Sequence, residues 1–177
     1  MSFGPGRLRE LVERLVEAEV DFVLVGGLAV GTWGFIRGTK DVDIVPNPDP
    51  ANLDRLADVL EELDGKVRVN EELMATSAIR IFLRTGDKTL VVTELGDVDV
   101  LQGLPQVPRF ADLASRSSEA DLEGVPVTVC SLEDLLAMKR AADRAIDRAD
   151  IEALEIAHSE PGPEERDNPP NEGPERV

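Results

Sequence analysis

A chain of 177 residues with 42 % hydrophobic side chains has the size of one ordinary domain and enough apolar material to bury a core. Its formal charge of −17 excludes a broadly basic, polyanion-binding surface, so any nucleic-acid contact needs a local patch drawn from Arg37, Lys40, Arg80, Arg84, Lys139, Arg140, Arg144 and Arg148. A single cysteine, Cys130, excludes an internal disulfide, and the longest apolar runs fall well short of the roughly 20 residues of a membrane span, which points to a cytoplasmic protein without membrane partners.

The first element is an amphipathic helix over Leu8 to Glu19, with Leu8, Leu11, Val12, Leu15 and Val16 at three-and-four spacing. Asp21 to Val25 reads as a buried strand running into Gly26-Gly27, and Leu28 to Phe35 as a helix whose Ala29 and Gly31 permit close packing. Asp41 to Val45 alternates acids with aliphatics, the pattern of a half-buried strand, and Pro46 and Pro48 stop it. The turn Asn47-Pro48-Asp49-Pro50 then delivers a second amphipathic helix, Ala51 to Leu63.

Ala78 to Arg84 and Thr89 to Glu94 are predicted to be strands joined by a hairpin at Thr85-Gly86-Asp87-Lys88. Asp97 to Leu101 repeats the acid-aliphatic pattern as a further strand. A short helix over Arg109 to Ser115 and a strand over Val125 to Val129, ending at Cys130, follow. Ser131 caps a helix that carries Glu133 and Asp134 in its first turn and reaches about Asp143, and a last helix runs from about Asp147 to Ala157. This order suits an α/β (α+β) fold, a mixed sheet flanked by helices with a helical pair at its C-terminal end. Residues 1–158 are expected to form that domain, and the acidic, Pro-rich segment 159–177 a disordered tail.

The chemistry centres on Asp41 and Asp43. Positions i and i+2 of a strand share a face about 6.5 Å apart, and two unneutralised acids there repel unless a cation lies between them. Mg2+ suits the pair, because it favours one or two carboxylates together with the phosphate oxygens of a nucleoside triphosphate. Asp99, in the second acidic strand, is the third candidate ligand, and Asp97, following Gly96, is left open between turn residue and site residue. Gly26 and Gly27 let the backbone approach a phosphate. With one histidine, His158, at a helix end, and Cys130 in a buried strand end, neither a nucleophilic dyad nor a tetrahedral zinc site is expected.

Together, the strand ending in Gly-Gly, the Arg37-x-Thr39-x-Asp41-x-Asp43 signature and the later hydrophobic-Asp99-hydrophobic strand resemble the nucleotidyltransferase fold of the DNA polymerase β superfamily. The segments Ser131 to Ala142 and Asp147-x-x-Asp150-Ile151 resemble the C-terminal helices of abortive-infection (AbiEii-type) nucleotidyltransferase toxins. The resemblance, over about residues 8–157, implies Mg2+-dependent transfer of a nucleotidyl group from a nucleoside triphosphate to a hydroxyl. It places the triphosphate on Gly26 and Gly27, the metal on Asp41, Asp43 and Asp99, and activation of the acceptor on Asp99. Arg37 and Thr39 would brace the loop or touch phosphate, and Lys139 would either reach the phosphates or lie solvated on its helix. The acceptor it implies first is RNA, a tRNA end, with the protein as the toxin partnered by a cognate antitoxin. A small molecule such as an antibiotic, a protein hydroxyl, and a non-catalytic binding role are the alternatives. Where such relatives read Gly-Arg-Pro-Lys-Asp, this chain has Asp143-Arg144-Ala145-Ile146-Asp147, with an acid gained and a lysine replaced by Ile146.

Overall fold

The computed structural model of the protein describes residues 5–159. In chain order the elements are α1 (Pro5–Glu17), β1 (Phe22–Val25), α2 (Gly26–Thr32), β2 (Asp41–Pro46), α3 (Pro50–Glu62), β3 (Lys66–Val69), β4 (Glu72–Leu73), a 3-10 turn (Thr76–Ala78), α4 (Ile79–Thr85), β5 (Thr89–Val92), β6 (Asp97–Val100), α5 (Phe110–Arg116), β7 (Ser118–Leu122), β8 (Val125–Val129), α6 (Leu132–Ala142) and α7 (Ala145–Ser159). The strands form one mixed sheet in the order β4-β3-β5-β6-β2-β1-β8-β7. The central pairs set the geometry that matters: β2 runs parallel to β6 and antiparallel to β1, and β1 runs parallel to β8.

Periodicity explains most of these elements. Leu8, Leu11, Val12 and Leu15 turn one face of α1 into the core, and all four are buried. Asp49 caps α3 by accepting from the amides of Ala51 and Asn52, with Pro50 in the first turn, where a missing N–H costs nothing. Ser131 caps α6 by accepting from the Asp134 amide. In β1 all four residues are buried, whereas β2 buries Val42 and Ile44 and turns Asp41 and Asp43 to the other face.

One expected hairpin is absent. Residues 79–85 are helical as α4, with Ile79 and Leu83 buried and Ile81 68 % exposed. The Gly86-Asp87 step ends that helix, with Gly86 in the left-handed conformation (φ 75°) of a helix C-terminus. Three short strands were not anticipated: β3 and β4 at one edge of the sheet and β7 at the other. Pro46, expected to stop β2, is its last paired residue, opposite Phe22. No described helix is long and apolar enough to cross a membrane. The tail expected to be disordered lies outside the described residues from position 160 onward, and Ser159 is the last residue of α7.

Candidate active site

The parallel register of β2 and β6 sets Asp41 beside Asp97 and Asp43 beside Asp99. Asp41, Asp43 and Asp99 thereby each offer a carboxylate oxygen within 4.8 Å of the other two. Asp97 is not part of this group; its carboxylate pairs with Arg68 at 3.2 Å. The repulsion among the three acids is visible in Asp43, whose carboxyl is pushed up to about 7. Burial is the main cause, the charges of Asp41 and Asp99 add to it, and the Gly27 amide and Lys88 offset part of it.

Asp99 is buried and asymmetric. Its Oδ2 lies 2.6 Å from Lys88 Nζ, while Oδ1 is buried without a hydrogen-bond partner. An unpartnered carboxylate oxygen in such a place costs free energy unless something binds it. An all-oxygen donor set drawn from rigid neighbouring strands suits a hard divalent cation, so the residues present fit a metal, which Asp41, Asp43 and Asp99 would hold.

The two glycines make room for these groups. Gly26 has φ 68°, and a Cβ there would fall on the Asp43 carboxylate; a Cβ on Gly27 would lie 2.6 Å from Thr39 Oγ1. The Gly27 amide also lies where it favours the charged form of Asp43. Gly26→Ala should combine backbone strain on the order of 1–3 kcal/mol with displacement of Asp43. It is expected to lower the thermal midpoint by several degrees and to weaken divalent-metal binding at least tenfold, as read by scanning calorimetry and metal titration.

Thr39 donates to Asp41 Oδ1 at 3.0 Å, holding that carboxylate toward the trio. Arg37 anchors the loop beneath it. Its Nε and Nη2 donate to the two oxygens of Asp150 at 2.6 and 2.8 Å, and its Nη1 donates to the Gly38 carbonyl. Lys139, expected either at the phosphates or in solvent, is 5 % exposed and tied at 2.7 Å to Asp150 and 3.3 Å to Asp147. Arg144 closes the chain by donating three bonds to Asp147, two from its guanidinium and one from its backbone amide. Burial by itself would raise Asp147 and Asp150, but the hydrogen bonds from Arg144, Arg37 and Lys139 hold both below the usual carboxylate range.

These groups surround a cleft of about 690 Å3. Gly26, Gly27, Asp41, Asp43 and Asp99 lie on one side of the chemistry, Lys88, Lys139 and Arg144 supply cations, and Leu101, Leu104, Val107, Met138 and Ile146 add apolar surface. Every site residue named from the sequence lines it: Gly26, Gly27, Arg37, Thr39, Asp41, Asp43, Asp99 and Lys139. Lys88, Arg144, Asp147 and Asp150 were not singled out as site residues. The two acids did stand out as part of the Asp147-x-x-Asp150-Ile151 motif, and their i, i+3 spacing on a helix that must pack inward was the signal for a structural role. His158 lies outside the lining, with Nε2 2.9 Å from the Trp33 carbonyl, and Cys130 is buried with its thiol pushed up to about 12.

Residues 7–159 match a family described as "Nucleotidyltransferase of unknown function (DUF6036)". The chain belongs to this family. It is thus a nucleotidyltransferase, as the Gly-Gly and acidic-strand motifs suggested. No curated protein matches it. Its fold is shared with the lincosamide antibiotic adenylyltransferase LnuA, solved with lincomycin bound, at 17 % identity and TM-score 0.65, covering 89 % of this chain and 99 % of that one. The antibiotic-resistance factor ANT(2'')-Ia in solution matches at 15 % identity and TM-score 0.55, covering 86 % of this chain and 81 % of the other. An antigenic nucleotidyltransferase-like protein from Paracoccidioides brasiliensis matches at 20 % identity and TM-score 0.56, covering 82 % and 72 % respectively.

Proposed function

We propose that the protein transfers a nucleoside monophosphate from a nucleoside triphosphate to a hydroxyl of a small, non-polyanionic acceptor, with Mg2+ held by Asp41, Asp43 and Asp99. The observation that carries the catalytic part is the convergence of three carboxylates around an orphaned buried oxygen of Asp99. In the reaction the acceptor oxygen bonds to the α-phosphorus, the bond from that phosphorus to the β-phosphate bridge breaks, pyrophosphate leaves, and the hydroxyl proton passes to Asp99. The cation, when bound, screens phosphate charge and lowers the pKa of the attacking hydroxyl.

The acceptor class rests on where the cations point. Of the eight basic residues from which an RNA-binding patch could be drawn, seven are ion-paired within the protein. Arg37 and Lys139 hold Asp150; Arg80 and Arg84 hold acids of α3; Arg140, Arg144 and Arg148 hold Glu155, Asp147 and Asp143. An RNA, including the tRNA end that the toxin resemblance implies, would have to displace carboxylates before gaining the phosphate contacts that dominate polyanion affinity. A small hydroxylated molecule avoids that cost and finds apolar surface at Leu104, Val107, Met138 and Ile146. The LnuA and ANT(2'')-Ia likeness, which is one of fold, is compatible with such an acceptor.

The test incubates purified protein with Mg2+ and each α-labelled triphosphate against three acceptor pools: small hydroxylated compounds, total RNA and protein. Pyrophosphate release with label in the small-molecule pool, lost on chelation with EDTA, is the expected result. Label in RNA would overturn the acceptor class and restore the toxin reading. Silence with every triphosphate and pool would overturn catalysis itself.

A further inference from the structure

Lys88 is the one cation in direct contact with the carboxylate trio among the described residues, and nothing in the proposed reaction uses it. Its ammonium sits 2.6 Å from Asp99 Oδ2. Of the other cations of the cleft, Arg37 and Lys139 are engaged with Asp150 and Arg144 with Asp147, and Lys40 is an exposed side chain. The backbone that presents Lys88 is pinned: the Asp87 amide donates to Thr85 Oγ1, Thr89 Oγ1 donates to the Asp87 carbonyl, and the Gly86 carbonyl packs so closely on Gly103 that a Cβ there would lie 2.5 Å from it. From that fixed root extends a side chain that is 43 % exposed, with room to swing its head away.

We propose that Lys88 is a built-in counter-cation that competes with a divalent ion for Asp99, limiting the nucleotide-free protein to one ion until triphosphate oxygens draw the ammonium away. This rests on the metal-binding reading of the trio. With all three carboxylates ionised, as a bound cation would make them, one ammonium leaves two net negative charges, the complement of a single divalent cation; with the ammonium gone, Asp99 is free to share in a second. A flexible lysine suits this better than an arginine would, because its compact, strongly hydrated charge moves between partners without a fixed fork geometry. The contact also gives a reason for the asymmetry of Asp99, where one oxygen is neutralised in advance and the other is left for an incoming cation.

The measurement is Mn2+ binding to the full chain without nucleotide, followed by electron paramagnetic resonance and titration calorimetry. Wild type is expected to bind one Mn2+. Lys88→Met should bind roughly tenfold more tightly or take up a second ion, while Lys88→Arg, which keeps the charge, should stay at one. In an Asp99→Asn background the Lys88→Met gain should vanish, because the group the lysine competes for is gone. Equal affinity and stoichiometry in wild type and Lys88→Met would overturn the role of Lys88 alone, as would a gain that persists without Asp99. No Mn2+ binding by either protein would overturn it together with the metal reading of the trio.

Discussion

Replacing Asp43 by Asn is expected to abolish nucleotidyl transfer while making the metal-free protein more stable. Asp43 stands between two other acids, its carboxylate seated in the space that the missing Cβ of Gly26 leaves open. Losing a metal ligand removes several kcal/mol of transition-state stabilisation, a rate loss of about a thousandfold or more. The stability effect has the opposite sign, and its pH window follows from the raised carboxyl. Asp43 titrates near 3.8 when unfolded and at about 7 when folded, so the folded state holds a proton that the unfolded state has already released. Below the unfolded value both states are protonated and the residue costs nothing. As pH rises toward 7 the folded protein loses stability, and above 7 the penalty is complete, on the order of a few kcal/mol. Asn keeps an oxygen for the Gly27 amide and removes the charge. The midpoint of Asp43→Asn in EDTA should therefore exceed wild type at pH 8, and the difference should shrink to nothing near pH 4. Calorimetric scans across that range, with and without divalent cation, check both halves: the cation should raise the wild-type midpoint and leave the variant nearly unmoved.

The contrast between Asp43 and its surroundings shows which part of the site can be read along the chain. Alternation of acid and aliphatic in Asp41 to Val45 and Asp97 to Leu101 is a local signal, and it gives each strand its acidic face without reference to any neighbour. That Asp43 faces Asp99 rather than Asp97 is a matter of parallel register, fixed by the core on the opposite face through Val42, Ile44, Val98 and Val100. The failures share one cause. Residues 79–84 are rich enough in Ile, Phe and Leu to pass for a strand, yet Ile79 and Leu83, four apart, are the positions buried in the core, while Arg80 and Arg84 reach Asp54 on α3. A partner distant in sequence chose the helical period over the extended one. The β7–β8 hairpin went unread because its first strand, Ser118–Leu122, is short and turns only Ala120 and Leu122 toward the core, with Glu119 and Asp121 between them, and the structure alone shows the positive φ of Glu123 and Gly124 at its turn. Lys88 was hidden for a similar reason: read as a hairpin turn, its segment gave no cause to look toward Asp99, whereas its position one residue before β5 does.

The largest loss of stability should come from Asp150→Ala, a residue 113 positions from the arginine it holds. Asp150 is fully buried on α7 and accepts two bonds from Arg37, and Lys139 closes on it at 2.7 Å. Lys139 keeps Asp147 after the substitution, but Arg37 keeps only the Gly38 carbonyl, so a guanidinium is stranded in a partly buried place. Breaking a buried pair from one side costs about 3–5 kcal/mol. For a domain of this size that is a fall of roughly 10 °C in thermal midpoint. Asp150→Asn keeps an acceptor oxygen and should lose less. Its pH dependence should run opposite to that of Asp43. Because the Asp150 carboxyl is held low in the fold, its contribution is present above the unfolded carboxylate range and is lost as pH falls through the folded value, so the gap between wild type and Asp150→Asn should narrow on acidification below about 4. The substitution should also reach the chemistry. With Arg37 released, the loop that carries Thr39 loses its tie to α7, and Asp41 loses the hydrogen bond that aims it at the trio. Divalent-metal affinity measured on the folded variant, well below its melting temperature, should fall along with stability. A variant that melted early yet bound metal like wild type would confine Asp150 to holding α7 in place.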